Sequence, residues 1–194
     1  MPNFRQFFLL FASILVLSGC DTTSKPNDMP RELRQSSVVS TSTPDFAPQA
    51  GATLAWKSDL RVKLSPGVNG DPGMVAFIKS EVDRQLQAKG YGFAPADITP
   101  TFHLEGVLIM GDELNETQLR DALGFDPGLV GKDTTYEKGS LLLFLIDPVS
   151  LQTKWLAVVQ VFAAPDLPAD VRQERARFGV GQLMSALPSV NGEQ

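Results

Sequence analysis

The sequence has few of the residues that most often perform chemistry. Its 194 residues include one cysteine, Cys20, and one histidine, His103. A zinc site needs three or four ligands, usually several of them cysteine or histidine. A domain without a second cysteine cannot form an internal disulfide. We therefore expect no metal, no other cofactor, and a core that is stable without cross-links.

Motifs typical of nucleophilic or nucleotide-binding enzymes are also missing. The chain has no Gly-x-Ser-x-Gly elbow, no phosphate-binding Walker loop and no paired-histidine zinc motif. Gly67, Gly70 and Gly73 have the wrong spacing for a dinucleotide-binding loop and are typical of a turn. His103 alternates with apolar residues, as an ordinary, partly buried histidine on a strand does. We predict no catalytic residue.

A basic surface is the third absence. The chain carries 17 Lys and Arg against 22 Asp and Glu, a formal net charge of −5. Nucleic acid and anionic lipid surfaces attract proteins through clusters of basic residues, so we exclude nucleic acid as a partner. No apolar run reaches the roughly 20 residues of a transmembrane helix.

At its start, however, the sequence has a short apolar segment that ends at the single cysteine. Residues 7–17, FFLLFASILVL, have the length of a signal-peptide core and are too short to span a bilayer. Leu17-Ser18-Gly19-Cys20 resembles the lipobox of bacterial lipoproteins. The resemblance implies that residues 1–19 are removed as a signal peptide and that Cys20 receives fatty acyl chains such as palmitate. A plain secretion signal with a coincidental cysteine is the alternative.

Such an anchor sets the expected location of the protein. The folded part would be tethered to a membrane of a Gram-negative bacterium and would face the periplasm. Asp21 follows the cysteine directly; in enteric bacteria this resembles a signal for retention in the inner membrane, whereas other lineages read the position differently. We keep both the inner and the outer membrane open.

Composition divides the rest of the chain into three regions. Residues 20–52 are rich in Ser, Thr, Pro, Asn and Gln and bury too little apolar surface to offset chain entropy, which predicts a disordered tether behind the lipidated Cys20. Residues 53–188 are patterned as a single domain, and residues 189–194 form a C-terminal tail.

The domain is predicted to be α+β. Period-2 and period-3.6 apolar patterns place strands and helices in the order βαβββα, over residues 54–64, 72–89, 101–110, 140–146, 153–162 and 169–186. This order predicts a two-layer sandwich, with an approximately four-stranded mixed sheet and two main helices on one face. Gly90 is expected to end the first helix, and Asp147 to cap the turn between the last two strands.

Four features, in order, are LQAKGY at residues 86–91, a strand entered after Asp97, YEKGSLLLFLID at residues 136–147, and Lys154-Trp155. Together they resemble a family of small periplasmic lipoproteins built on a conserved domain of unknown function. The resemblance covers about residues 53–188. Members of that family lack an established enzymatic activity, so the resemblance implies a fold and a cellular location but no substrate.

The last two strands are apolar on both faces, although two helices can cover only one face of a sheet. The second face needs a cover, which is either the acidic connection at residues 111–138 or another protein. We hypothesise that it is partly an interaction surface for an envelope protein or a second copy of the chain. Its candidate residues are Leu141, Leu143, Leu145, Leu156, Val158 and Phe162.

These observations favour a non-enzymatic envelope lipoprotein whose domain binds or scaffolds a partner. One alternative is an accessory subunit of an envelope transport system that binds a lipid or a small apolar ligand. Another is a hydrolase that uses the acidic residues of the connection, for which a solvated acidic face is the simpler interpretation. Trp56 and Trp155 are a candidate sugar platform, but their alternation with polar or small residues favours core packing.

Overall fold

The sheet and helices are seen in a computed structural model that describes residues 35–111, 119–121, 136–164 and 166–190. The strands are β1 (Ser36–Ser42), β2 (Thr53–Trp56), β3 (Arg61–Leu64), β4 (Gly92–Phe93), β5 (Phe102–Met110), β6 (Glu137–Ile146) and β7 (Thr153–Ala163). The helices with complete bounds are α1 (Pro72–Ala88) and α2 (Ala169–Ser185), and residues 119–121 are also helical. Within these ranges, no helix is long and apolar enough to cross a membrane.

All seven of these strands belong to one mixed sheet. Six of them follow the order β1-β7-β6-β5-β2-β4, and β3 pairs with β5 outside this order. The neighbours from β1 to β5 are antiparallel, whereas β2 and β3 both run parallel to β5, at successive positions along it. The mixed α+β fold is therefore confirmed, but the expected count of about four strands is wrong. The segment predicted as one strand, residues 54–64, bends at residues 57–59 and supplies both β2 and β3.

Part of the predicted tether is folded. Strand β1 pairs with β7 along its whole length, from Ser36 opposite Val161 to Ser42 opposite Trp155. The prediction of disorder over residues 20–52 is thus wrong for this stretch. A composition rich in Ser and Thr buries little surface of its own, but β1 completes an existing sheet and needs only Val38 and Val39 to pack against its two faces. Residues 20–34 of the predicted tether lie outside the described residues.

Helix α1 begins and ends as the sequence predicts. Asp71 is the N-cap and accepts a hydrogen bond from the amide of Met74 at 3.2 Å, and Pro72 occupies the first turn. After the helix, Gly90 has a φ of 90°, the left-handed conformation that glycine adopts at low cost. The cap fixes the start of α1, and with it the position of Asp71 beside the second helix.

Both helices pack on one face of the sheet. From α1 the core receives Ile78, Val82 and Leu86, and from α2 it receives Val180, Leu183 and Met184. The sheet contributes alternate residues of β5, β6 and β7 to the same core, since side chains of a strand point to opposite faces in turn. Phe178 of α2 lies outside this core and is 42% exposed.

The turn between β6 and β7 is built on Asp147. Its carboxylate accepts hydrogen bonds from the amides of Ser150 at 2.7 Å and Val149 at 2.9 Å, which confirms the predicted cap. These backbone donors lower the pKa of Asp147 because they stabilise its charged form.

We therefore expect Asp147→Asn to lower the melting temperature at pH 7. A carboxylate with a depressed folded-state pKa stabilises the fold above its unfolded pKa of about 3.9, and this contribution is lost as the pH falls through the folded value. The difference between wild type and Asp147→Asn should accordingly shrink in a pH series from 7 to 2. Asp97→Asn, at an exposed aspartate, is the control. A difference that stays constant across the series would contradict the prediction.

Candidate functional site

The principal pocket in the described residues lies between the two helices and the end of the sheet. It has a volume of about 160 Å³ and is bounded by the first half of α1, by α2, by β3 and by the adjoining ends of β5, β6 and β7. Its lining is mostly apolar and includes Leu64, Val75, Ile78, Met110, Val161 and Val180. The site can therefore exclude water from an apolar group that enters it.

Small residues on α2 create this space. Ala176 and Gly179 lie three apart on the helix and both line the pocket. A Cβ built at Gly179 would lie 3.5 Å from Val161 Cγ1, so a larger side chain at this position would extend toward β7. Residues three apart share one face of a helix, and this pair leaves a gap between α2 and the sheet.

An open groove continues the pocket along the outside of the fold. It runs between β3 and α1, has a volume of about 540 Å³, and shares Val62, Leu64 and Val75 with the pocket. Val62 and Leu64 are 38% and 37% exposed, although they belong to a strand of the sheet. Lys79 and Asp59 lie at the groove. Pocket and groove therefore adjoin each other along these shared residues.

An ion pair joins the two helices at the pocket. Arg172 Nη1 donates to Asp71 Oδ2 at 2.7 Å, while the other oxygen of Asp71 caps α1. The Arg172 guanidinium and the Met74 amide hold the pKa of Asp71 below its usual range. Asp71 is thus already engaged by two donors, and Arg172 Nε remains buried without a hydrogen-bond partner.

Arg175 is the unusual residue of the site. It is 6% exposed and lines the pocket. Its Nη2 donates to the carbonyl of Gln35, its guanidinium lies 5.3 Å from the ring centre of Phe178, and its Nε has no partner. Within the described ranges it forms no ion pair. Burial lowers the pKa of Arg175 to about 10, because the charged form is poorly solvated there.

The six residues predicted as an interaction surface do not share one face. Residues paired directly across antiparallel strands point the same way, and Leu143 is paired with Ala157, whereas Val158 is paired with Leu142. Leu141, Leu143 and Leu145 therefore lie in the core beneath the helices, and Leu156, Val158 and Phe162 lie on the opposite face. The predicted surface is wrong as a single patch, since strand periodicity alone does not give the register between β6 and β7.

The opposite face is itself partly covered. Leu119, in the connection between β5 and β6, is fully buried and packs with Val107, Ile109, Leu142 and Val158. The connection therefore supplies cover, which was one of the two options considered. The acidic residues at positions 112, 113, 116, 126 and 133 lie outside the described residues, while Asp121 is exposed.

Other candidate groups have structural explanations or fall outside the described part of the chain. Trp155 is 2% exposed in the core, and Trp56 Nε1 donates to Asp83 at 2.7 Å, so core packing is confirmed for Trp155. His103 is partly buried, as predicted. Among the residues described, no group of three or more His, Cys, Asp or Glu could hold a metal. Cys20 lies outside the described residues.

Sequence reasoning missed the pocket and its arginines. One signal was available: Arg175 lies four residues after Val171 and four before Gly179, on the stripe of α2 that faces the core. A charged residue on the apolar stripe of a helix is uncommon unless it has a partner. The gap itself depends on the angle between two helices and the sheet, which a one-dimensional pattern does not contain.

Comparison with known proteins gives similarity of fold. No protein-family model matches the chain, and no curated protein matches it. A DUF4136 family protein from Bacteroides thetaiotaomicron superposes with a TM-score of 0.54 at 14% identity, over 80% of this chain and 97% of that one.

Two further structures are less similar. The PelC dodecamer from Paraburkholderia phytofirmans gives a TM-score of 0.48 at 14% identity, over 82% of this chain and 100% of that one. A DUF330 family protein from Xanthomonas campestris gives 0.41 at 10% identity, over 78% and 89%. A family of unknown function thus occurs among the structural neighbours, as the sequence resemblance predicted, and membership of a family stays a prediction.

Proposed function

We propose that this protein is a membrane-anchored cell-envelope lipoprotein whose domain binds, without catalysis, a ligand with an apolar group in the pocket between helices and sheet. The observation that carries the proposal is the apolar pocket of about 160 Å³ that adjoins the groove between β3 and α1. Ligand sites are typically concave and mostly apolar, with few polar groups. Lipidation at Cys20 would hold this site beside a membrane facing the periplasm.

The volume of the pocket limits what it can hold. An engineered apolar cavity of about 150 Å³ stays dry and binds benzene, so this pocket accepts about six carbon atoms. Burying six methylenes at about 0.8 kcal/mol each yields roughly 5 kcal/mol before the costs of association. The interior alone therefore supports weak binding of a short chain, and a longer chain would extend into the groove.

A pocket-filling substitution tests the proposal. The full chain from residue 20 onward, carrying Cys20→Ser so that no acyl group competes, would be titrated with 1-octanol by calorimetry. Ala176→Leu adds three carbons to the pocket wall and is expected to weaken binding at least tenfold. Ala169→Leu makes the same change at the exposed start of α2 and should leave binding unchanged. Equal binding of 1-octanol by both variants would refute the proposed site, as would a wild type that binds no eight-carbon chain, neither 1-octanol nor octanoate.

The anchor has a separate test. Mass spectrometry of the native protein, extracted from membranes, should find a mature amino terminus at Cys20 that carries acyl chains. An unmodified Cys20, or processing elsewhere, would refute the lipoprotein assignment while leaving the pocket as described.

A further inference from the structure

The guanidinium of Arg175 is a positive charge in a pocket wall, and no residue in the described part of the chain supplies a negative partner. The side chain is 6% exposed, and the one hydrogen-bond acceptor that it reaches in the described residues is the neutral carbonyl of Gln35. Buried charges in proteins are normally paired, because an isolated charge loses its hydration without replacement. A charge kept in this state at the wall of a cavity indicates that its partner lies outside the described residues, and the empty space beside it points to a bound ligand.

The remaining charges of the pocket favour an anion. Three charged residues line it, Asp71, Arg172 and Arg175, which gives the lining a formal charge of +1. Asp71 is already held by Arg172 and by the amide of Met74. Arg172 Nε and Arg175 Nε are both buried, and neither has a hydrogen-bond partner among the residues that the structure describes. An arginine nitrogen can only donate, so the missing group must be an acceptor.

The apolar part of the site adds a second requirement. The arginines line the same pocket as Ile78, Met110 and Val180, and this pocket shares Val62 and Leu64 with the adjoining groove. A small inorganic anion would leave these apolar walls unfilled, and a neutral hydrocarbon would leave the guanidinium unpaired. A molecule with an acyl chain and an anionic end group satisfies both parts.

We infer that the ligand is a monomeric anionic amphiphile, such as a fatty acid, whose carboxylate or phosphate is bound by Arg175 with the help of Arg172 and whose chain fills the pocket and groove. This inference rests on the proposed function and specifies its ligand class. It assigns Arg175 as the residue that selects anionic over neutral chains.

The test compares ligands of equal length on the chain from residue 20 onward with Cys20→Ser. Octanoate is expected to bind about ten to a hundred times more tightly than 1-octanol, since charge-assisted hydrogen bonds distinguish the two. Octylamine should bind more weakly than 1-octanol because its charge repels the guanidinium. Affinity should rise about fourfold for each methylene from hexanoate to decanoate.

Arg175→Met should abolish the preference for octanoate while retaining the binding of 1-octanol. Arg177→Met removes the same charge two residues away, where the side chain is exposed and lies over Phe77, and should leave the preference intact. We expect the melting temperature of ligand-free Arg175→Met not to fall below that of the wild type, because an unpaired buried charge is removed. If this variant fails to fold, Arg175→Lys serves instead and should keep part of the preference, since the ammonium group retains the charge.

Two results would overturn the inference and leave the proposed function standing. One is equal affinity for octanoate and 1-octanol in the wild type. The other is a preference that Arg175→Met and Arg177→Met reduce equally, since a general charge effect would then explain it. Competition by inorganic phosphate at the concentration at which octanoate binds would overturn the assignment of an amphiphilic ligand, because the hydrocarbon chain would then contribute nothing to the affinity. Failure of octanoate and 1-octanol alike to bind would remove the proposed function itself.

Discussion

Leu143→Ala is expected to lower the free energy of unfolding by about 4 kcal/mol. In the core of another protein, leucine-to-alanine substitutions lower the free energy of unfolding by about 2.7 to 5 kcal/mol, depending on how far the surrounding residues move into the cavity. Leu143 has no exposed surface and lies in β6 between Gly106 of β5 and Ala157 of β7. Neither small neighbour can move into the space, so the upper part of the range applies.

The geometry at Gly106 supports this expectation. A Cβ built on Gly106 would lie 3.2 Å from Leu143 Cδ2 and 2.6 Å from Leu60 Cδ1. The leucine side chains therefore occupy the volume above the glycine, and removal of one of them leaves a void in the centre of the sheet.

Urea unfolding and thermal denaturation would measure the effect. Leu151→Ala deletes the same atoms at a site that is 67% exposed and should change stability by less than about 0.5 kcal/mol. For a domain of this size, the loss at Leu143 corresponds to a fall in melting temperature of roughly 10 °C. A loss below about 1 kcal/mol would mean that Leu143 is not enclosed between the sheet and the helices.

Gly111→Ala is expected to cost about 3 kcal/mol or more, for two separate reasons. Gly111 has a φ of 99°, a conformation in which residues with a Cβ are strained. A Cβ there would also lie 2.4 Å from Ser65 Cβ and 2.3 Å from its Oγ. Backbone strain of about 1 kcal/mol and overpacking of about 1 to 3 kcal/mol act together.

The surrounding backbone prevents relaxation at this position. The amide of Gly111 donates to the carbonyl of Lys138 at 2.9 Å, and the amide of Ser65 donates to the carbonyl of Met110 at 2.9 Å. These hydrogen bonds fix both sides of the contact, so relief of the clash requires breaking one of them.

A matched glycine separates the two contributions. Gly51 has a φ of 83°, but nothing lies within 4 Å of a Cβ built there, so Gly51→Ala should show the backbone cost alone. Adding Ser65→Gly to Gly111→Ala should recover a large part of the loss, since the two positions are in contact. Equal losses for Gly51→Ala and Gly111→Ala would show that the contact with Ser65 is easily displaced.

The sequence was most informative where a local signal is complete within a few residues. Asp71 and Pro72 start α1, Gly90 ends it, and Asp147 caps its turn, because each of these interactions joins groups close together in the chain. The predicted number of strands was too small in part because β1 was not recognised as a strand. Its partner β7 lies more than a hundred residues later in the chain. The composition of a segment indicates how much apolar surface the segment can bury by itself. It does not show which distant segment will pair with it.

The candidate site was predictable only in part. Period-2 alternation correctly identified β6 and β7 as apolar on both sides, but the register between them decides which residues share a face, and that register is a property of the pair. Arg175 could have been noticed on the buried stripe of α2. The pocket beside it arises from the spacing between α1, α2 and β3, which no segment of sequence specifies by itself.

The pairing of β1 with the sheet limits the distance between the pocket and the membrane. If Cys20 carries the anchor, about 15 residues lead from it to Gln35, and even a fully extended chain of that length spans roughly 50 Å. Gln35 is also the residue whose carbonyl receives the hydrogen bond from Arg175. The segment that follows the proposed anchor would thus join the fold beside Arg175, so an amphiphile that leaves the bilayer would meet the proposed site within a few nanometres of its point of departure.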